Sequence, residues 1–153
     1  MRHLAILLAT WGGVGFSPFA PGTMGTLAAI PIFFLLSLLP WWLYILCVLG
    51  IGIVACWAAD DAERIFHEKD PHRVVIDEAV GFFVTMAALP VTWTYLIAGF
   101  CLFRVFDIVK PPPIRLVEKK VPGGYGVVLD DVLAGIYAGI SVRLLALVIP
   151  FPI

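Results

Sequence analysis

The chain has 153 residues, enough for one domain, and 61% of them are Ala, Val, Ile, Leu, Met, Phe, Trp, Tyr or Cys, against 14% charged and a net charge of −1. This composition excludes a disordered or charge-driven protein. Nineteen of the 21 charges fall in two windows, ten from Asp60 to Glu78 and nine from Arg104 to Asp131, so no face is basic enough for nucleic acid and none is expected as a partner.

Arg2 and the apolar Leu4 to Ala9 superficially suggest a signal peptide, but the core is short and glycines 12, 13 and 15 stand where a small-residue cleavage site should be. Leu4 to Ala59 then runs for 56 residues without one Asp, Glu, Lys, Arg or His. About 20 helical residues cross a hydrocarbon core, so this stretch holds two crossings, expected at Thr26 to Leu39 and Trp41 to Ala59. Pro31 shortens the first, which dips rather than spans, and Trp41 and Trp42 are placed as interfacial anchors. Before it, PFAPGTMGTLAAIP carries Thr23 and Thr26 after a Pro-Gly turn, read either as a Thr N-cap or as a phosphate cradle at a helix start.

Ala79 to Phe103 is a second charge-free run, and Val132 to Ile149 a third, broken only by Arg143. None alternates as a strand would, and a barrel is disfavoured. Gly135 and Gly139 give small-xxx-small spacing, for packing inside the chain or for a dimer. Cys47, Cys56 and Cys101 form no CxxC pair and read as buried packing residues.

The acids gather at the ends of these runs. Asp77 and Glu78 open the second in VVIDEAVG, Arg104, Asp107 and Lys110 follow it in FRVFDIVKPPPI, and Asp130 and Asp131 open the last in GGYGVVLDDVLAG. Each acidic pair alone reads as a helix-capping group, and Arg104 with Asp107 as an i,i+3 ion pair. Together they offer carboxylates for a hard cation such as Mg²⁺ and cations for a phosphate. One unbroken helix would hold Asp77 and Asp107 about 45 Å apart. Convergence therefore requires a fold-back, and Pro90 is the expected break. Both charged windows then share one side, cytoplasmic by the distribution of Lys and Arg. No thiolate-phosphatase loop, DxDx[TV] or GxSxG motif is present, and His3, His67 and His72 lie outside the motif strings and read as interfacial or loop residues. Metal-assisted attack by water is the chemistry left.

These strings resemble the phosphatidylglycerophosphatase A family: APGTMGT, DPHRVVIDEAVG, FRVFDIVKPPPI and GGYGVVLDDVLAG occur in that order. The resemblance implies a bacterial inner-membrane enzyme, multi-pass, with its active site facing the cytoplasm, that hydrolyses phosphatidylglycerophosphate to phosphatidylglycerol with Mg²⁺. It singles out Thr23, Asp70, Asp77, Glu78, Arg104, Asp107, Lys110, Asp130 and Asp131. The roles inferred from it are Glu78, Asp107 and Asp131 on Mg²⁺, with Asp77 and Asp130 as a second metal site or just behind the first, Arg104 and Lys110 on phosphate with Thr23 and Thr26, and Asp130 orienting water. The fold expected is an all-α, membrane-embedded bundle of four to six helices with a hairpin around Pro90, one domain over residues 1–153. The alternatives are a phosphatase of another membrane lipid phosphate, or a small cation or metabolite transporter. Against transport, the acids lie at helix ends rather than mid-membrane, and no repeat is visible.

Overall fold

The apolar runs are helical in the computed structural model, which describes residues 2–149; the ends of the expected domain, Met1 and 150–153, lie outside the described residues. The helices are α1 (Arg2–Ala9), α2 (Pro21–Ser37), α3 (Trp41–Phe66), α4 (Ile76–Met86), α5 (Trp93–Val109), α6 (Ile114–Lys120) and α7 (Gly124–Val148), with a 3₁₀ turn at Val14–Phe16 and no strand among the described residues. The all-α expectation holds, but seven α-helices replace the expected four to six. The additional short ones are α1, whose apolar run resembled a leader, and α6, whose charges masked it.

The boundaries also move for local reasons. α2 begins at Pro21, ahead of the expected Thr26, because a proline at the first helical position has its φ preset and no N–H to orphan. Its N-cap is Ala20, with φ 41°, so the Thr N-cap is not formed. α3 runs seven residues past Ala59, extended by the polar turn that pairs Asp60 with Arg64 at 2.6 Å. The chain does fold back around Pro90: α4 ends at Met86 and α5 starts at Trp93. Arg143, the lone charge of the last run, secures this turn from α7 by donating to the carbonyls of Ala87 and Gly139.

α7 is the hub, packing against α3, α4, α5 and α6. Its small residues permit this. A Cβ on Gly135 would strike the Gly81 backbone of α4, and one on Gly139 would sit 3.0 Å from the Thr85 carbonyl, so the small-residue stripe is used inside the chain. Phe33, Phe82, Phe83, Met86 and Phe103 fill the core beside it. In a bundle whose outside also faces apolar surroundings, these side chains stabilise the fold by close van der Waals packing rather than by leaving water.

The outside is apolar as well. Leu38, Trp41 and Ile53 are 81%, 78% and 72% exposed, a costly arrangement in water and the expected one against lipid. α3 and α7, at 26 and 25 residues, are long and apolar enough to cross a membrane, whereas α4 and α5, at 11 and 17, are shorter. The cysteines are free, as the spacing implied, but not fully buried: Cys101 is exposed and the other two are half-buried.

Candidate active site

Three helix segments bring the acids together. Asp77 and Glu78 occupy the first turn of α4, Arg104 and Asp107 the end of α5 with Lys110 as its C-cap, and Asp130 and Asp131 the second turn of α7. The start of α2 and the loop between α3 and α4 complete the wall of a cavity of about 400 Å³, to which Gly22, Asp70 and His72 contribute.

At its floor, Asp77, Glu78 and Asp131 each present a carboxylate oxygen, all within 4.8 Å of one another. Asp77 and Asp131 are 6% and 3% exposed. One oxygen of each of the three (Asp77 Oδ1, Glu78 Oε2, Asp131 Oδ2) is buried without a hydrogen-bond partner. Such orphaned buried acceptors are costly, and like charges this close cannot all ionise unaided. Burial, then the charge of Asp131, pushes the Glu78 carboxyl up to about 8. Burial, then Glu78, pushes Asp77 well above the usual carboxylate range. Three hard oxygens converging at buried positions are the donor set that a divalent cation satisfies.

Asp107, Glu118 and Asp130 are paired with cations. Arg104 Nη1 lies 2.6 Å from Asp107 Oδ2 and 3.8 Å from Glu78 Oε1, so the i,i+3 pair read from sequence is formed. Arg104 stands behind these acids rather than on the cavity wall, and its buried Nε keeps no hydrogen-bond partner. Lys110 Nζ donates to Asp130 Oδ2 at 2.6 Å and meets Glu118 Oε1 of α6 at 3.2 Å. Burial alone would lower the lysine's proton affinity; the bond to Asp130 and the two neighbouring carboxylates outweigh it and hold the ammonium charged.

Gly22 makes the floor possible, because a Cβ there would overlap Glu78 Oε1. Three lining residues, Ala20, Asp70 and Lys110, have left-handed backbone at φ 41°, 50° and 45°. Strain of this kind is tolerated where surrounding structure fixes it, as the Glu63 carboxylate does by accepting the Asp70 amide at 2.9 Å.

Thr23 and Thr26 are not brought to the cavity: Thr26 is fully buried and donates to the Gly22 carbonyl at 2.9 Å, and Thr23 is half-buried outside the lining. His72, read from sequence as a plain loop residue, lines the cavity, as does Glu118, which no motif flagged. The one signal for His72 was its position in DPHRVVIDEAVG, between Asp70 and Asp77.

The four sequence blocks thus supply most of the wall of one cavity. A family model described as phosphatidylglycerophosphatase A matches residues 7–146. The chain belongs to the phosphatidylglycerophosphatase A family. It is 43% identical over 132 residues to phosphatidylglycerophosphatase A of Escherichia coli, covering 85% of this chain and 76% of that one. The Haemophilus influenzae protein of the same name is 40% identical over 138 residues, covering 89% and 85%. A Bacteroides thetaiotaomicron relative with the provisional name phosphatidylinositol-3-phosphatase is 46% identical over 148 residues, covering 91% of each chain. No solved structure matches.

Proposed function

We propose that this phosphatidylglycerophosphatase A family member is a lipid phosphatase that uses Mg²⁺ to hydrolyse the terminal phosphate monoester of phosphatidylglycerophosphate, giving phosphatidylglycerol and phosphate. The observation that carries the metal is the orphaned oxygen on each of Asp77, Glu78 and Asp131. These three residues would hold the ion, and Asp107, expected on the metal, instead orients Arg104. When bound, the ion offsets phosphoryl charge and makes a nearby water more acidic.

The chain's own residues do the rest. Lys110 turns its ammonium to a phosphate oxygen, and Arg104, with a free Nε donor, adds charge from behind. Asp130 accepts a proton from the attacking water while Lys110 holds it in place. The water oxygen bonds to phosphorus as the bond to the glycerol oxygen breaks, and that oxygen leaves as the alcohol by taking back the proton that Asp130 received. The apolar outer faces of α3 and α7 would lie against the acyl chains in a bacterial inner membrane, with the headgroup at its cytoplasmic side.

A second reading, a phosphatase for another lipid phosphate, is favoured by one observation: the name of the Bacteroides relative points to a different headgroup. Phosphate release by the purified protein from phosphatidylglycerophosphate, phosphatidate and phosphatidylinositol-3-phosphate decides between them. Preference for the first supports the proposal, and equal or greater turnover of either competitor overturns its substrate.

A further inference from the structure

α6 has two different faces. Ile114 is fully buried, and Glu118, one turn on, reaches Lys110. On the other side Arg115, Leu116, Lys119 and Lys120 are exposed, and the spacings 115/119 and 116/120 stack them on one face. Among the described residues none of these three cations makes an ion pair. Glu118, three residues after Arg115 and beside Lys119 on the wall of a neighbouring cavity, is the one acid of α6 and is taken by Lys110.

We propose that the outer face of α6 docks on anionic phospholipid headgroups at the bilayer surface and, through Glu118 on the inner face, fixes Lys110 in the cavity. Anionic leaflets attract basic side chains beside a membrane segment, and a leucine among the cations suits insertion at a lipid surface better than pairing with a soluble acidic partner. Glu118 is the positioning residue: it shares the Lys110 ammonium with Asp130, so tilting α6 moves one of the two anchors of that lysine. The turnover effect rests on the lipid-phosphatase reading, whereas the docking itself does not.

The test uses the full chain reconstituted in phosphatidylcholine vesicles with dilute phosphatidylglycerophosphate, with and without added phosphatidylserine. Turnover should rise severalfold with phosphatidylserine, and added salt should reverse the rise. The variant Arg115→Gln/Lys119→Gln/Lys120→Gln should match the unaltered protein in phosphatidylcholine alone and show no rise. Glu118→Gln should also show no rise while still docking. Docking is read without turnover, as protection of the Lys119 and Lys120 amines from a water-soluble acylating reagent followed by mass spectrometry. Unchanged labelling on adding phosphatidylserine overturns the docking, and a full rise in Glu118→Gln overturns the coupling. Labelling protection with no phosphate release in any vesicle would leave the docking standing and refute the lipid-phosphatase reading instead.

Discussion

The Lys110 ammonium stands 2.6 Å from the Asp130 carboxylate, which joins the end of α5 to the second turn of α7 across 20 residues of sequence. Lys110 is only 20% exposed at its side chain and sits in left-handed backbone, so its position is fixed from both ends. Lys110→Ala should lower phosphate release by about 10²–10³-fold, the scale of losing one positioned charge at a reacting group. Lys110→Arg should recover only part of this, because a planar fork does not replace a point charge. Turnover of both variants, alongside circular dichroism to verify folding, checks this.

The three converging carboxylates predict opposite effects with and without metal. In chelator above about pH 8, where Glu78 is ionised, Asp131→Asn removes a buried like charge from beside it, so Tm should rise by a few degrees, on the order of 1 kcal/mol. In Mg²⁺ the unaltered protein should gain stability by ligand linkage and the variant should not. Thermal unfolding in detergent under the two conditions reads both signs; a variant that loses stability in chelator would contradict the repulsion.

The pH dependence follows from Glu78, whose carboxyl is pushed up to about 8, against about 4.3 in an unfolded chain. Because the folded value is raised, the metal-free protein should lose stability as pH rises between about 4 and 8. Mg²⁺ must displace the proton, so its affinity should increase with pH and level off above about 8. Titrations of Mg²⁺-dependent Tm at several pH values test this; affinity independent of pH would contradict it.

Gly22→Ala places a methyl group against Glu78 Oε1 at the edge of the metal cluster, where a side chain rather than backbone must yield. The helix should persist, since alanine favours it, while Mg²⁺ affinity and turnover fall together. Gly135→Ala is the contrast: its methyl would meet the Gly81 backbone, so it should destabilise the whole fold.

Much of this arrangement is legible in the sequence. Pro90 interrupts a charge-free run between two charged strings that could not otherwise meet, and the DE and DD pairs stand out where apolar helices begin. What stayed hidden was partnership. Asp107 is chemically as good a ligand as Asp77, and in the fold its Oδ2 pairs with Arg104 beside the group formed by Asp77, Glu78 and Asp131. Thr26 looked like a phosphate donor, but one helical turn directs its hydroxyl to the Gly22 carbonyl. Glu118 carries no periodic or motif signal and His72 only its place in DPHRVVIDEAVG, because they reach the cavity from a short helix and a loop whose paths depend on tertiary packing.

A divalent-cation phosphatase site at Asp77, Glu78 and Asp131 is tested by phosphate release from phosphatidylglycerophosphate by purified protein stripped with chelator and then resupplied with Mg²⁺. Release should vanish on stripping, return with Mg²⁺, and stay absent in Asp131→Asn under both conditions. Undiminished release in chelator, or Mg²⁺-restored release by Asp131→Asn, would contradict it.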